Sequence, residues 1–169
     1  VFGGRMVDVA ERAGAKVTKV ERPWGEVFTP DDLKDALAKA RPKVVGIVMA
    51  ETSTGAWQPI PEISRAVHEA GAMLLVDAVT ALGGIPVEVD AWNIDAIYSG
   101  TQNCLSCPPG LAPVSFSSRA MEAIQNRKSK VPPSQQNRRK ADPTRTSATA
   151  YTVLTYGHAV RVAAQCARS

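Results

Sequence analysis

The sequence is short of several things that would each mark a class of protein. Cysteine is scarce: Cys104, Cys107 and Cys166 make an odd count, which argues against a disulfide framework. Histidine is scarcer, with only His68 and His158. Cys104-Leu-Ser-Cys107 is the single C-x-x-C, so a closed four-ligand zinc site has too few ligands and no metal is expected. A redox pair of thioredoxin type opens a helix, and Pro108, Pro109 and Gly110 forbid one here. Two small, semi-buried thiols are the expected state. No apolar run reaches the ~18 residues of a membrane helix, so no membrane association is expected. No basic n-region, apolar core and cleavage site opens the chain.

What is present fits one globular domain. The chain has 169 residues, 44% of them hydrophobic and 21% charged, enough for a single core. It begins at Val1, and VFGGRMVDVAERAG already reads as the start of a helix, which suggests an incomplete N-terminus. The expected location is cytoplasmic, with a peroxisomal or mitochondrial address left open. Charge is uneven: residues 1–126 hold 11 Lys and Arg against 15 Asp and Glu, whereas residues 127–169 hold 9 against 1. The basic balance therefore belongs to the tail. A solvated segment is the plain reading of that tail; binding of nucleic acid is the weaker one, since the run lacks aromatics for base stacking.

Strand and helix patterns alternate. Met6, Val7, Ala10 and Ala13 have helical spacing, and Gly14 is a stop. Residues 15–20, AKVTKV, read as a short strand. Thr29-Pro30-Asp31-Asp32 is a helix start with an N-cap, a proline at the first position and acids in the first turn. KVVGIVMA (43–50) and AMLLVDAV (72–79) are nearly all apolar, as strands covered on both faces are. Between them PEISRAVHEA reads as a helix closed by Gly71. IDAIYSG (94–100) and LAPVSFS (111–117) read as two further strands, and Ser118 as the cap of a last helix. The pattern predicts an α/β fold, a three-layer α/β/α domain with a largely parallel sheet. That domain is expected over 1–130, followed by a basic, Pro/Ser/Arg-rich linker-like segment over 131–150 and a short possible helix over 151–169.

In open α/β sheets ligands bind beyond the carboxyl ends of the strands. Three polar groups fall there: ETSTG (51–55), Asp77 and SGTQN (99–103). A carboxylate ending an apolar strand is costly unless it is paired or hydrogen-bonded. Asp77 is thus either a turn cap or an anion held ready for a cation, and a protonated pyridine nitrogen is a cation that suits it. His68 reads as a satisfied edge histidine, Trp57 and Trp92 as packing or turn residues, and Trp24 as a partly exposed turn aromatic. Gly83-Gly84 is no phosphate loop because no helix begins after it. Glu51 reads only as an organiser of its loop.

ETSTG, LLVDAVTALGG, NIDAIYSGTQ and CPPGLAPVSFS, in this order, resemble the alanine–glyoxylate / serine–pyruvate branch of the class V aminotransferases, from about Phe2 to Lys130. The resemblance implies part of the large domain of a fold type I enzyme, pyridoxal 5'-phosphate as cofactor, small amino-acid and oxo-acid substrates, and a homodimer. It implies that Asp77 pairs with the pyridine nitrogen, Val79 packs on the ring, Thr52 lies near the ring and Gln102 helps to hold the phosphate. The position of the family's Schiff-base lysine is Asn103. An amide nitrogen is delocalised, so Asn103 is neither a nucleophile nor a proton-transfer base. Lys43 opens its strand at the other end, and Lys128 and Lys130 lie past the last clear helix. The ring-stacking aromatic, the upstream phosphate loop and the substrate-carboxylate arginine have no matching motif. Amino transfer is therefore the function implied by family, with this chain expected to be inactive; a dead cofactor-binding or dimerisation module is the alternative.

Overall fold

Amphipathic spacing and a glycine stop fix the first element. Helix α1 spans Phe2–Arg12. It ends where Gly14 takes φ 86° and its N–H donates to the Glu11 carbonyl, a left-handed conformation that glycine adopts without cost. Residues 2–126 are those that this computed structural model describes. The basic linker-like segment, the short helix expected over 151–169 and Lys128 and Lys130 lie outside them.

Helix α2 (Pro30–Ala40) starts at the predicted N-cap, which closes as a reciprocal box: Thr29 Oγ1 accepts from the Asp32 N–H while the Asp32 carboxylate accepts from the Thr29 N–H. Its buried face is Leu33 and Leu37, each worth about 2 kcal/mol of apolar transfer. Strand β1 (Val44–Val48), helix α3 (Ile60–Glu69), strand β2 (Met73–Asp77), strand β3 (Ala96–Tyr98), strand β4 (Val114–Phe116) and helix α4 (Ser118–Asn126) follow. The sheet order is β1-β2-β3-β4; the first two pairings are parallel and β4 is antiparallel to β3. This is the largely parallel sheet expected, with one antiparallel edge.

The period of two along each strand divides the core. Ile47, Leu74, Val76 and Ile97 pack with Leu33 and Leu37 of α2 and Ile63 and Val67 of α3. Leu75, Ala96, Tyr98 and Val114 turn to the other face, where Met6 and Val9 of α1 pack against them. Helices therefore cover both faces of the sheet, as expected. Among the described residues no helix is long and apolar enough to cross a membrane.

Three expectations are corrected. Ala15–Val20 forms no strand. The Met49 N–H and the Lys43 carbonyl both face β2, so by alternation the backbone groups of Val44, Gly46 and Val48 face outward. That edge opens on a cavity of about 600 Å³ lined by α1, residues 15–26 and α2, so the backbone groups with which residues 15–20 would pair face that cavity. The last helix is capped by Ser117 and not Ser118, since the Ala120 N–H donates to Ser117 Oγ at 3.1 Å. Cys104 and Cys107 are exposed and not semi-buried, because their turn projects past the ends of the strands.

Candidate active site

Strands β1, β2 and β3 run the same way and end in one row: Val48 lies opposite Asp77, and Asp77 opposite Tyr98. The three polar turns that follow them are thereby gathered on one edge of the sheet. Each turn is shaped by its own residues. After β1, the Gly55 N–H donates to the Glu51 carbonyl at 2.8 Å with Gly55 at φ 73°, and the Glu51 carboxylate accepts from Ser53 Oγ at 3.0 Å. Glu51 therefore organises its loop, as read. Burial pushes its carboxyl up, but the Ser53 hydroxyl and N–H and the Phe2 N–H outweigh that and hold it below the ordinary range.

Asp77 is 5% exposed and both oxygens are occupied. Oδ1 accepts from the Val79 N–H at 2.9 Å, and Oδ2 from the Tyr98 hydroxyl at 2.7 Å. Oδ1 thereby caps the turn that follows β2. Burial raises its carboxyl above the ordinary range; the Val79 N–H and Tyr98 hydroxyl pull it down, and the Glu51 charge adds to the rise. Among the described residues no lysine, arginine or histidine forms an ion pair with it.

The segment after Asp77 is held by both neighbouring turns. Thr52 Oγ1 lies 2.6 Å from Thr80 Oγ1, joining the ETSTG turn to it. Ser99 Oγ donates to the Ala78 carbonyl at 3.0 Å, Asn103 Nδ2 to the Val79 carbonyl at 3.4 Å and Cys104 Sγ to the Thr80 carbonyl at 3.1 Å. Asp77, Val79, Asn103 and, through Thr80, Thr52 are brought together. Gln102 is placed beside Asn103 but is not joined to the other four; it is exposed and its amide folds back over Gly100, where an added Cβ would lie 2.5 Å from Gln102 Oε1. Lys43 precedes β1, at the opposite end of the sheet from Asn103.

Sequence reasoning missed Tyr98 and Thr80. Tyr98 ends its strand as Asp77 ends its own, so counting back from the two strand ends would have paired them. It also missed Asp95, at the far edge. That carboxylate is buried and accepts from the Leu74 N–H at 2.8 Å, Ser117 Oγ at 3.0 Å, Arg119 Nη2 at 2.6 Å and His68 Nε2 at 2.8 Å. It joins α3, β2, β3 and α4, and it makes His68 the satisfied edge histidine expected. Trp24 is 74% exposed and Trp57 53% exposed, while Trp92 packs on the core. No helix follows Gly83-Gly84, and among the described residues no group of three or more metal-ligating side chains is found.

The family model for "Aminotransferase class-V" matches residues 5–158. Over 127 residues the chain is 44% identical to the (S)-ureidoglycine–glyoxylate transaminase of Bacillus subtilis, covering 75% of this chain and 30% of that protein. Over 130 residues it is 36% identical to the alanine–glyoxylate aminotransferase of Rattus norvegicus, covering 77% and 31%. Among solved structures, alanine–glyoxylate aminotransferase from Nostoc sp. superposes with a TM-score of 0.76 at 38% identity, over 99% of this chain and 45% of that one. The ureidoglycine–glyoxylate aminotransferase of Bacillus subtilis gives 0.73 at 35%, over 99% and 43%. The chain thus spans about a third of the length of the curated relatives it matches.

Proposed function

The chain belongs to the class-V aminotransferases, and on that premise we propose that its fold serves transamination, moving an amino group from a small amino acid to glyoxylate or pyruvate with pyridoxal phosphate. Alanine, serine and (S)-ureidoglycine are the donors that the resemblance and the relatives' names suggest. The observation that carries this reading is Asp77: a buried carboxylate at the carboxyl edge of the sheet, held by two neutral donors and in no ion pair with a cation among the described residues. Such an anion fits a protonated pyridine nitrogen.

When bound, pyridoxal phosphate supplies an electron sink for the pair released at the substrate's α-carbon. Asp77 would hold the ring nitrogen's proton. Val79, fixed at both its N–H and its carbonyl, would pack against the ring. Thr52, locked to Thr80, would border it, and Gln102, exposed beside Gly100, would reach the phosphate. A homodimer would complete the site.

The fit fails at one position. Asn103 offers a carboxamide where a covalent link needs an amine, and it cannot move a proton at the α-carbon. This chain would therefore retain the cofactor without a covalent bond and turn over no substrate; the second reading, a binding or dimerisation module, follows from that residue alone.

The test is borohydride reduction with pyridoxal phosphate present, followed by peptide mapping. The expected result is no adduct on residues 98–110 of the parent chain and an adduct at position 103 in Asn103→Lys. Absence of that adduct, with cofactor binding indifferent to Asp77→Ala, would remove the site from this edge of the sheet.

A further inference from the structure

Asp77 and Tyr98 are direct register partners on adjacent parallel strands, and both are buried, at 5% and 7% exposure. Direct partners in register project to the same face of a sheet, so the two side chains meet there. The Tyr98 hydroxyl donates to Asp77 Oδ2 at 2.7 Å, while Oδ1 takes the Val79 N–H at 2.9 Å. A carboxylate with one donor can still turn about its last bond; one with a fixed donor on each oxygen cannot. The other charged group that bears on Asp77 is Glu51, of like sign. Among the described residues only neutral donors therefore offset the burial of this anion, and of the two, only Tyr98 supplies a side chain.

We propose that Tyr98 is the positioning residue of this site: its hydroxyl fixes the plane of the Asp77 carboxylate and sustains its negative charge, leaving the remaining lone pairs for a cationic N–H. What that N–H belongs to rests on the pyridoxal-phosphate reading above; the hold of Tyr98 on Asp77 does not. A tyrosine that only fills space beside Asp77, with no held bond to it, would leave the carboxylate's protonation unmoved when the hydroxyl is removed. The two roles therefore separate in a titration.

The experiment is a pH titration of the intact chain labelled with carbon-13 at aspartate carboxyls. Tyr98→Phe is expected to move the Asp77 midpoint up by about one pH unit, the size of one neutral hydrogen bond to a charged acceptor, and to leave Asp95 in place. Global 3-fluorotyrosine incorporation strengthens the phenol as a donor and is expected to move Asp77 down. Tyr98 is the only one of the three tyrosines among the described residues, and this second arm keeps the parent shape if Tyr98→Phe fails to fold. A midpoint that stays put in both overturns the assignment. A parallel titration with pyridoxal phosphate is expected to show binding about tenfold weaker in Tyr98→Phe. If the midpoint moves but the parent chain binds no pyridoxal phosphate, the cofactor reading falls and the role of Tyr98 stands; if the cofactor binds and the midpoint does not move, the reverse holds.

Discussion

Asp77 and Asn103 hold one residue between them: the Val79 N–H donates to Asp77 Oδ1 at 2.9 Å, and the Val79 carbonyl accepts from Asn103 Nδ2 at 3.4 Å. The buried anion and the position proposed for the missing nucleophile thus share an edge of the sheet and a single backbone unit. This relation links the two halves of the proposed chemistry, since a side chain at position 103 sits two hydrogen bonds from the carboxylate. At 3.4 Å the amide bond is long for a neutral pair, which sets its strength at the low end. Asn103→Ala is therefore expected to cost less than about 1 kcal/mol in urea unfolding, and Asn103→Lys no more. A larger loss would make Asn103 a structural residue of the turn.

Asp77 trades stability for charge. Burial lifts its folded-state carboxyl above the unfolded value. The sign follows from linkage: its contribution is present below the unfolded value and lost as pH rises through the raised folded one. Asp77→Asn is expected to be about 1 kcal/mol more stable than the parent at pH 8, with the difference closing toward pH 4. Urea midpoints at the two pH values check this. The same variant is expected to lose retention of pyridoxal phosphate on gel filtration, so that stability and binding move in opposite directions.

Asp95 has the opposite sign. Burial raises its carboxyl, but Arg119, the Leu74 N–H, His68 and Ser117 outweigh that and hold it below the ordinary range. Its stabilisation is present above the unfolded value and lost as pH falls through the depressed folded one, so Asp95→Asn is expected to flatten the acid limb of the stability curve. Asp95→Ala leaves the donors of His68, Leu74, Ser117 and Arg119 without their acceptor, and about 3 kcal/mol of stability is expected to go with it. His68→Ala, at a partly exposed end of the cluster, is expected to cost under about 1 kcal/mol.

Local signals were legible in the sequence where one segment decides them alone. Thr29 with Asp32 fixes the start of α2, and the all-apolar runs around Ile47 and Val76 fix β1 and β2 as strands covered on both faces. Asp77 stood out because a charge closes such a run. Ala15–Val20 misled because pairing depends on what lies alongside, which no local pattern records. The direction of β4 was legible and not read: residues 99–113 carry no helix, and a parallel return needs a crossover. Tyr98 and Asp95 were missed because their meaning lies in register and in contacts 21 to 24 residues away, with Asp77 and with Leu74, Ser117 and Arg119.

The turn that carries Asn103 leans on a glycine, and that contact can be tested by adding one carbon. A Cβ at Gly84 would lie 2.6 Å from Cys104 Sγ and 3.2 Å from Cys104 Cβ, closer than packed atoms come. Gly84→Ala must therefore displace Cys104, and the displaced thiol leaves the Thr80 carbonyl that accepts from it at 3.1 Å. Overpacking of this kind costs about 1–3 kcal/mol in a core, and less on an exposed turn free to shift. The clearer readout is chemical: reaction of Cys104 with a thiol reagent is expected to speed up several-fold while Cys107, bonded within its own turn to the Leu105 carbonyl, keeps its rate. Gly3→Ala, where an added Cβ meets nothing within 4 Å in helix α1, is the control and is expected to stabilise by about 0.5 kcal/mol. Equal rates for both thiols in Gly84→Ala and the parent would mean that the 101–107 turn is not seated on Gly84, and the placement of Asn103 against Val79 would lose its support.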